Sequence, residues 1–223
     1  MSLETKVSSS IYKYKLLERG DSVAIAYSGG KDSAVLLDIL SKNKNIKNLF
    51  VIHLDMGFGE DFNGIKTYLQ NLRYQFHVEK TDFGKQAEKT EYSPCFLCSF
   101  LRRKRIFEIA HNNGFKKIAF GHTRDDAIIT FLMNIFYHGE VSTISPKQVF
   151  FNGEITIIRP LYYVSKIEIE RYIQKRDLSY FENPCPYSGN TKRKNMEKLL
   201  DKFPDGRNNV YKALFTIKKE FLP

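Results

Sequence analysis

No stretch of the sequence approaches the roughly eighteen consecutive apolar residues of a membrane-spanning helix. Residues 1–15 also lack the apolar core of a secretory leader. The expectation is a cytoplasmic protein with no membrane partner. Cysteine is scarce: Cys95, Cys98 and Cys185 are the only three, an odd number that cannot complete a disulfide framework, and a reducing cytosol disfavours one. They read as ligands. Acidic side chains are in deficit, 25 Asp and Glu against 35 Lys and Arg, which leaves a formal charge of +10. Such a surplus raises affinity for polyanions through counterion release, so RNA, DNA or an anionic membrane surface are the partners to weigh. Internal repeats and low-complexity tracts are missing as well. What is present, 223 residues at 42% hydrophobic content, supports one core without staples, with or without a small appendage.

The most informative run is Ser28-Gly29-Gly30-Lys31-Asp32-Ser33, placed between the apolar Val23-Ala24-Ile25-Ala26-Tyr27 and the helix-like Ala34-Val35-Leu36-Leu37-Asp38-Ile39-Leu40. A glycine pair between a strand and a helix lets backbone N–H groups come close to phosphate oxygens, and the helix N-terminus adds about half a positive charge. Ser28 and Ser33 offer hydroxyls, Lys31 a cation, and Asp32 a ligand for magnesium, direct or through water. A Walker P-loop is excluded, because the position where that motif needs its first glycine is Ile25. The run resembles the PP-loop of the N-type ATP pyrophosphatases, a family that cleaves ATP between the α- and β-phosphates and moves AMP onto a carbonyl or ureido oxygen.

Hydrophobic periodicity predicts strands alternating with helices. Ser8-Ser9-Ser10 is read as the cap of a short helix reaching about Leu17, stopped by Arg19-Gly20-Asp21. Strands are expected at residues 23–27, 49–54, 74–78 and 117–120, and helices at 62–72, 96–113 and 127–137, with a polar stretch at 79–94 interrupting the rhythm. After Gly139 an edge strand at 154–158 leads through Arg159-Pro160-Leu161 to a helix at 165–176. Residues 183–223 read as a proline-flanked cysteine loop and two basic helices. The fold class is therefore α/β, a doubly wound, mostly parallel sheet with a small C-terminal helical extension. Residues 1–160 would form the ATP-binding unit, with the cysteine-bearing helix inserted, and residues 161–223 an extension within the same globule. Ligands of such sheets sit at the carboxyl ends of the strands. Ser28 follows the first strand, Asp55 the second, and Gly121-His122-Thr123-Arg124-Asp125-Asp126 the fourth.

Cys95-Phe96-Leu97-Cys98 follows Pro94, and two cysteines separated by two residues at a turn into a helix bring both sulfurs to one ion or cluster. Zinc knuckles, redox pairs and iron–sulfur sites share that spacing. Cys185, between Pro184 and Pro186, adds a third sulfur from far away in sequence. No histidine or fourth cysteine lies at ligand spacing, which disfavours a four-ligand structural zinc and suits a [4Fe–4S] cube held at three corners, its fourth iron open. Low-pKa thiolates beside Arg102-Arg103-Lys104-Arg105, acting as a persulfide carrier, and plain buried cysteines are the other readings.

The order of features resembles the two-thiocytidine tRNA-thiolation enzymes (TtcA-like), the cluster-dependent branch of the PP-loop family. Residues 28–33 carry the resemblance, with Pro94-Cys95, Cys98 followed by Leu101-Arg102-Arg103, Gly121-His122-x-Arg124-Asp125-Asp126, Asn134-x-Phe136-Tyr137, Arg159-Pro160-Leu161 and Pro184-Cys185. It implies an ATP-dependent tRNA sulfurtransferase that adenylates a pyrimidine carbonyl, cytidine C2 foremost, releases pyrophosphate and replaces oxygen with sulfur as AMP departs. By the same resemblance, Ser28, Gly29, Gly30, Lys31, Asp32 and Ser33 would hold ATP and magnesium, and Cys95, Cys98 and Cys185 the [4Fe–4S] cluster. Asp125 or Asp126 would organise magnesium or the activated base, and Arg102 would orient substrate or the anionic intermediate. Asp55 would touch ribose or metal, or cap a helix; Gly121 and His122 would lie beside the phosphates. Phe96, Tyr180 and Tyr187 are candidates to stack on loop bases. The implied partners are tRNA, a sulfur donor (sulfide or a cysteine desulfurase) and a second copy in a homodimer. Members often carry another cysteine in the C-terminal loop, absent from Cys185-Pro186-Tyr187-Ser188. The competing readings are a PP-loop ligase or tRNA-modifying enzyme of 2-thiouridine or lysidine type, with zinc or no metal at the cysteines, and a non-catalytic RNA-binding metalloprotein.

Overall fold

Strands β1 (Asp21–Ala26), β2 (Ile46–Asp55), β3 (Gln75–Lys80), β4 (Lys117–Phe120), β5 (Lys147–Phe150) and β6 (Ile155–Ile158) form one sheet in the order β3-β2-β1-β4-β6-β5. All neighbours pair parallel except β5, which runs antiparallel to β6. The structure is a computed structural model and describes residues 1–89, 93–182, 184–187, 189, 191–216 and 218. The central strand β1 is apolar on both faces, as a parallel strand covered by helices must be. Val23, Ile25 and Tyr27 point to one face, with Val51 of β2, and are covered by α1 (Leu3–Tyr14), α2 (Lys31–Ser41), α3 (Phe62–Asn71) and α7 (Lys166–Arg176). Ala24 and Ala26 point to the other, with Phe50, Ile52 and Leu54, and there meet Ile106, Ile109 and Ala110 of α5 (Pro94–Asn112). A short α4 (Phe83–Glu88) precedes α5, and α6 (Arg124–His138) packs Ile128 and Ile129 against Met196 and Leu200 of α8 (Lys192–Leu200), with α9 (Gly206–Ala213) alongside.

Three expectations are corrected. Ser2 caps α1, accepting the Thr5 N–H at 3.2 Å, while Ser10 lies buried within the helix. The serine triplet imitated a cap, but Leu3, Val7 and Ile11 are the buried face, and Lys15 ends the helix in a left-handed turn at φ 48°. The strand expected at the sheet edge is internal: β6 lies between β4 and β5, and a tight turn with Asn152 at φ 53° returns the chain from β5 into β6. The polar stretch contains α4. Residues 90–92 of that stretch, Asn183 and Ser188 of the cysteine loop, and residues 219–223 of the expected basic tail lie outside the described residues.

Candidate active site

The phosphate-binding run leaves β1 at its carboxyl end and folds back on the first turn of α2. The backbone N–H and the hydroxyl of Ser28 each donate to Ser33 Oγ at 3.2 Å, and Ser33 Oγ donates to the Gly30 carbonyl at 2.8 Å. Gly29 needs its freedom: its φ is +83°, and a Cβ there would stand 3.3 Å from Ile65. Its carbonyl accepts the Phe181 N–H at 2.8 Å, which ties the turn to the chain segment before Cys185. Gly121, after β4, is pressed against α2, where a Cβ would lie 3.2 Å from the Asp32 carbonyl carbon and from the Ser33 nitrogen. That close approach sets Asp32 beside Asp126.

The two carboxyls are driven apart in acidity. Burial raises Asp126, but Arg193, His122 and the hydrogen bonds from Thr123 outweigh it and hold the group below its ordinary value. Its Oδ2 accepts from Thr123 N at 2.6 Å and Thr123 Oγ1 at 2.8 Å, capping α6, while Oδ1 pairs with Arg193. Asp32 is pushed up to about 6 by burial and then by Asp126. Asp125 is spent elsewhere: it accepts from Lys166 N at 2.9 Å and from Arg207 at 3.2 Å, joining α6 to α7 and α9. Lys31 also turns away from the loop it belongs to, with Nζ 3.5 Å from Glu170 and 5.3 Å above the Tyr180 ring. Asp55 closes the turn after β2 by accepting the Gly57 N–H at 2.7 Å. Beside it Glu60 accepts the Met56 N–H at 3.0 Å and stands 3.5 Å from the buried His53. Burial pushes Glu60 up to about 7 and His53 down to about 4.

Opposite the phosphate loop, the N-terminal turn of α5 presents Cys95 and Cys98, and the 184–187 segment presents Cys185. All three line one cleft of about 440 Å³, whose other wall includes Ser28, Asp32, Ser33 and Asp126. Pro94 begins α5 at a position where its missing N–H costs nothing, so both cysteines of the pair sit on the first helical turn. Burial, then the neighbouring Cys185, raises the Cys95 and Cys98 thiols above their ordinary value. That is the opposite of what a metal-free exchange pair or persulfide carrier uses. Among the described residues no three or more His, Cys, Asp or Glu side chains are gathered as a cage for a metal ion. Three cysteines lining one cleft are a donor set that suits a cluster, where each thiolate takes its own iron. The Asp32 and Asp126 pair likewise makes no cage but suits magnesium, which keeps waters and relies on one or two carboxylates plus phosphate oxygens.

Arg102 lines the same cleft, and burial lowers its pKa, opposed by Glu60 and Cys98. Of the stacking candidates only Tyr187 faces the cleft, its ring 6.4 Å from Phe58; Phe96 is exposed and Tyr180 lies under Lys31. His122 stacks on Phe120 with centroids 5.6 Å apart and is held down to about 4 by burial and by Arg159. Sequence reasoning gave no role to Glu60 or Arg159, and read Arg193 only with Lys192 and Lys194 as positive charge offered to RNA. Arg159 was visible only as the residue before Pro160, and Arg193 only as one charge in a basic run.

The chain matches the PP-loop domain family over residues 3–201. It is 34% identical over 224 residues to a tRNA-cytidine(32) 2-sulfurtransferase of Burkholderia cenocepacia (strain HI2424), covering 94% of this chain and 67% of that one. A protein of the same name from Burkholderia mallei (strain SAVP1) is 34% identical over 230 residues, covering 96% and 69%. The U34-tRNA thiolase NcsA from Methanococcus maripaludis, solved with its [4Fe-4S] cluster, is similar in fold, with a TM-score of 0.76 at 21% identity over 96% of this chain and 76% of that one.

Proposed function

The chain belongs to the PP-loop family and, within it, to the tRNA-cytidine(32) 2-sulfurtransferases, and from that premise we propose that it is an ATP-dependent tRNA sulfurtransferase acting on a pyrimidine carbonyl, cytidine C2 foremost. The observation that carries the reading is the shared cleft: the phosphate loop with Asp32 and Asp126 on one wall, three thiols on the other. A carbonyl oxygen is a hopeless leaving group as hydroxide; its attack on the α-phosphorus of ATP releases pyrophosphate and lets it depart as AMP when sulfur takes its place. In this reading Ser28, Gly29, Gly30 and Ser33 bind the nucleotide's phosphates, and the N-terminus of α2 stabilises charge on the departing pyrophosphate. Asp32 and Asp126 would hold magnesium, with Arg193 as their counter-charge in its absence. Cys95, Cys98 and Cys185 would hold a [4Fe–4S] cluster, whose chemistry is to offer an open iron for sulfide. Arg102 is placed to orient the base. His122 stays neutral and packs the turn, and Asp55, Asp125 and Lys31 support the site rather than face it.

The same reading includes a sulfur donor, sulfide or a cysteine desulfurase, a homodimer and a cytoplasmic setting. The +10 charge suits a polyanion such as tRNA, and no described helix is long and apolar enough to cross a membrane. The test is Cys185→Ala, prepared anaerobically beside the wild type and assayed with ATP, sulfide and tRNA, the product nucleoside being weighed by mass spectrometry. Thiolation should disappear while ATP affinity, measured calorimetrically, stays within about twofold. Thiolation at the wild-type rate would remove the cluster from the reaction.

A further inference from the structure

Three arginines line the cleft, Arg102, Arg103 and Arg159, and among the described residues none has a carboxylate within the 4.0 Å of an ion pair. Of the other arginines, Arg105, Arg176, Arg193 and Arg207 have such partners, and those with none recorded are exposed (Arg19, Arg73, Arg171) or half-buried (Arg124). Arg159 is the sharpest case. It is 6% exposed, and its three recorded hydrogen bonds go to uncharged acceptors: Nε to His122 Nδ1 at 3.3 Å, Nη1 to the Ser145 carbonyl, Nη2 to Gln148 Oε1 at 3.4 Å. His122 accepts through Nδ1, so its ring is neutral there and offsets no charge. Asp126 is the carboxylate that attracts Arg159, from beyond pairing distance, and it is already committed to Arg193 and Thr123. Burying a guanidinium without a counter-charge is expensive, and an arginine held rigid by neutral acceptors with donors to spare is the form an anion-binding group takes before its anion arrives.

The position indicates which anion. Arg159 follows β6, separated from β1 and its phosphate loop by β4, and Arg103, the charge that most disfavours its own, lines the same cleft. Arg103 and Lys104 are exposed, so positive charge continues from the floor of the cleft to the surface of α5. A nucleotide already has its cradle on β1. A phosphate belonging to a chain that enters from outside would follow the arginine path inward.

We propose that Arg159 and Arg103 form a phosphate subsite for the RNA backbone at the target nucleotide, separate from the nucleotide cradle; this rests on the tRNA reading above. The experiment measures tRNA affinity against salt for wild type, R159Q, R159K and R103Q, with ATP and pyrophosphate affinities measured in parallel and folding checked by circular dichroism. R159Q and R103Q should each weaken tRNA binding about tenfold and lower the slope of log affinity against log salt by about 0.7–0.9, one phosphate contact each. R159K should keep the slope, and ATP and pyrophosphate affinities should not move. R103Q removes an exposed side chain and so tests the subsite even if R159Q fails to fold. An unchanged salt slope in R103Q, or a loss in R159Q that falls on ATP or pyrophosphate instead, overturns the subsite and leaves the enzyme reading standing. A wild type that neither binds nor thiolates tRNA overturns both.

Discussion

His122 illustrates how a half-buried ring ties stability to pH. Its folded pKa is about 4 against an unfolded value near 6.5, so between those values the unfolded chain takes up a proton that the folded chain refuses. The stabilisation is complete above about pH 6.5 and is lost as pH falls through 4. Compared with His122→Gln, the wild type should lose about 1.4 kcal/mol per pH unit across that window, roughly 3–5 °C in melting temperature. Thermal melts of both proteins from pH 7.5 to 4.5 isolate the effect, since His53 and Asp32 titrate in each. Parallel profiles would mean that the ring is not held neutral. At this scale the phosphate run was legible because its chemistry is local: glycines, hydroxyls and a following helix within six positions. Arg159, Arg193 and Glu60 were not, because their meaning lies in partners, or the lack of them, supplied by other parts of the chain.

Among the elements, α7 shows what local chemistry determines. Glu168 Oε2 accepts from the Ser165 N–H at 3.0 Å and hydroxyl at 2.9 Å, Ser165 Oγ receives the Glu168 N–H at 3.4 Å, and Lys6 of α1 closes on the same carboxylate. This reciprocal cap lies within four consecutive residues, so the start of α7 could be read directly. Ser165→Ala should cost about 1 kcal/mol, or roughly 2–4 °C in melting temperature. A melting point unchanged within error would show that Lys6 and Glu168 hold the terminus alone. Strand β5 was hidden for the opposite reason: Lys147-Gln148-Val149-Phe150 is too short for alternation to register, and only pairing with β6 makes it a strand. Helix α1 was misplaced because serine is equally at home capping a helix and filling a tight position inside one.

For the molecule as a whole, strand–helix alternation was enough to give a parallel sheet with its ligands at the strand ends. The lateral order of the strands, and therefore the wall to which the cysteines come, depends on crossovers that no local signal reports. Val164, Ile169, Tyr172 and Ile173 share a core with Val23, Ile25 and Val35, and we propose on that packing that residues 1–160 and 161–223 unfold as one unit. The full chain should melt in a single calorimetric transition, and a version ending at residue 160, with α7 lost from that face of the sheet, should show no near-ultraviolet dichroism. Two separable transitions would instead mark a true domain boundary.

The hydrogen bond from Phe181 to Gly29 gives the late chain a direct hold on the phosphate turn. Only three residues separate Phe181 from Cys185, a tether of at most about 14 Å. The bond at Gly29 therefore bounds how far from the phosphate turn the third sulfur can stand.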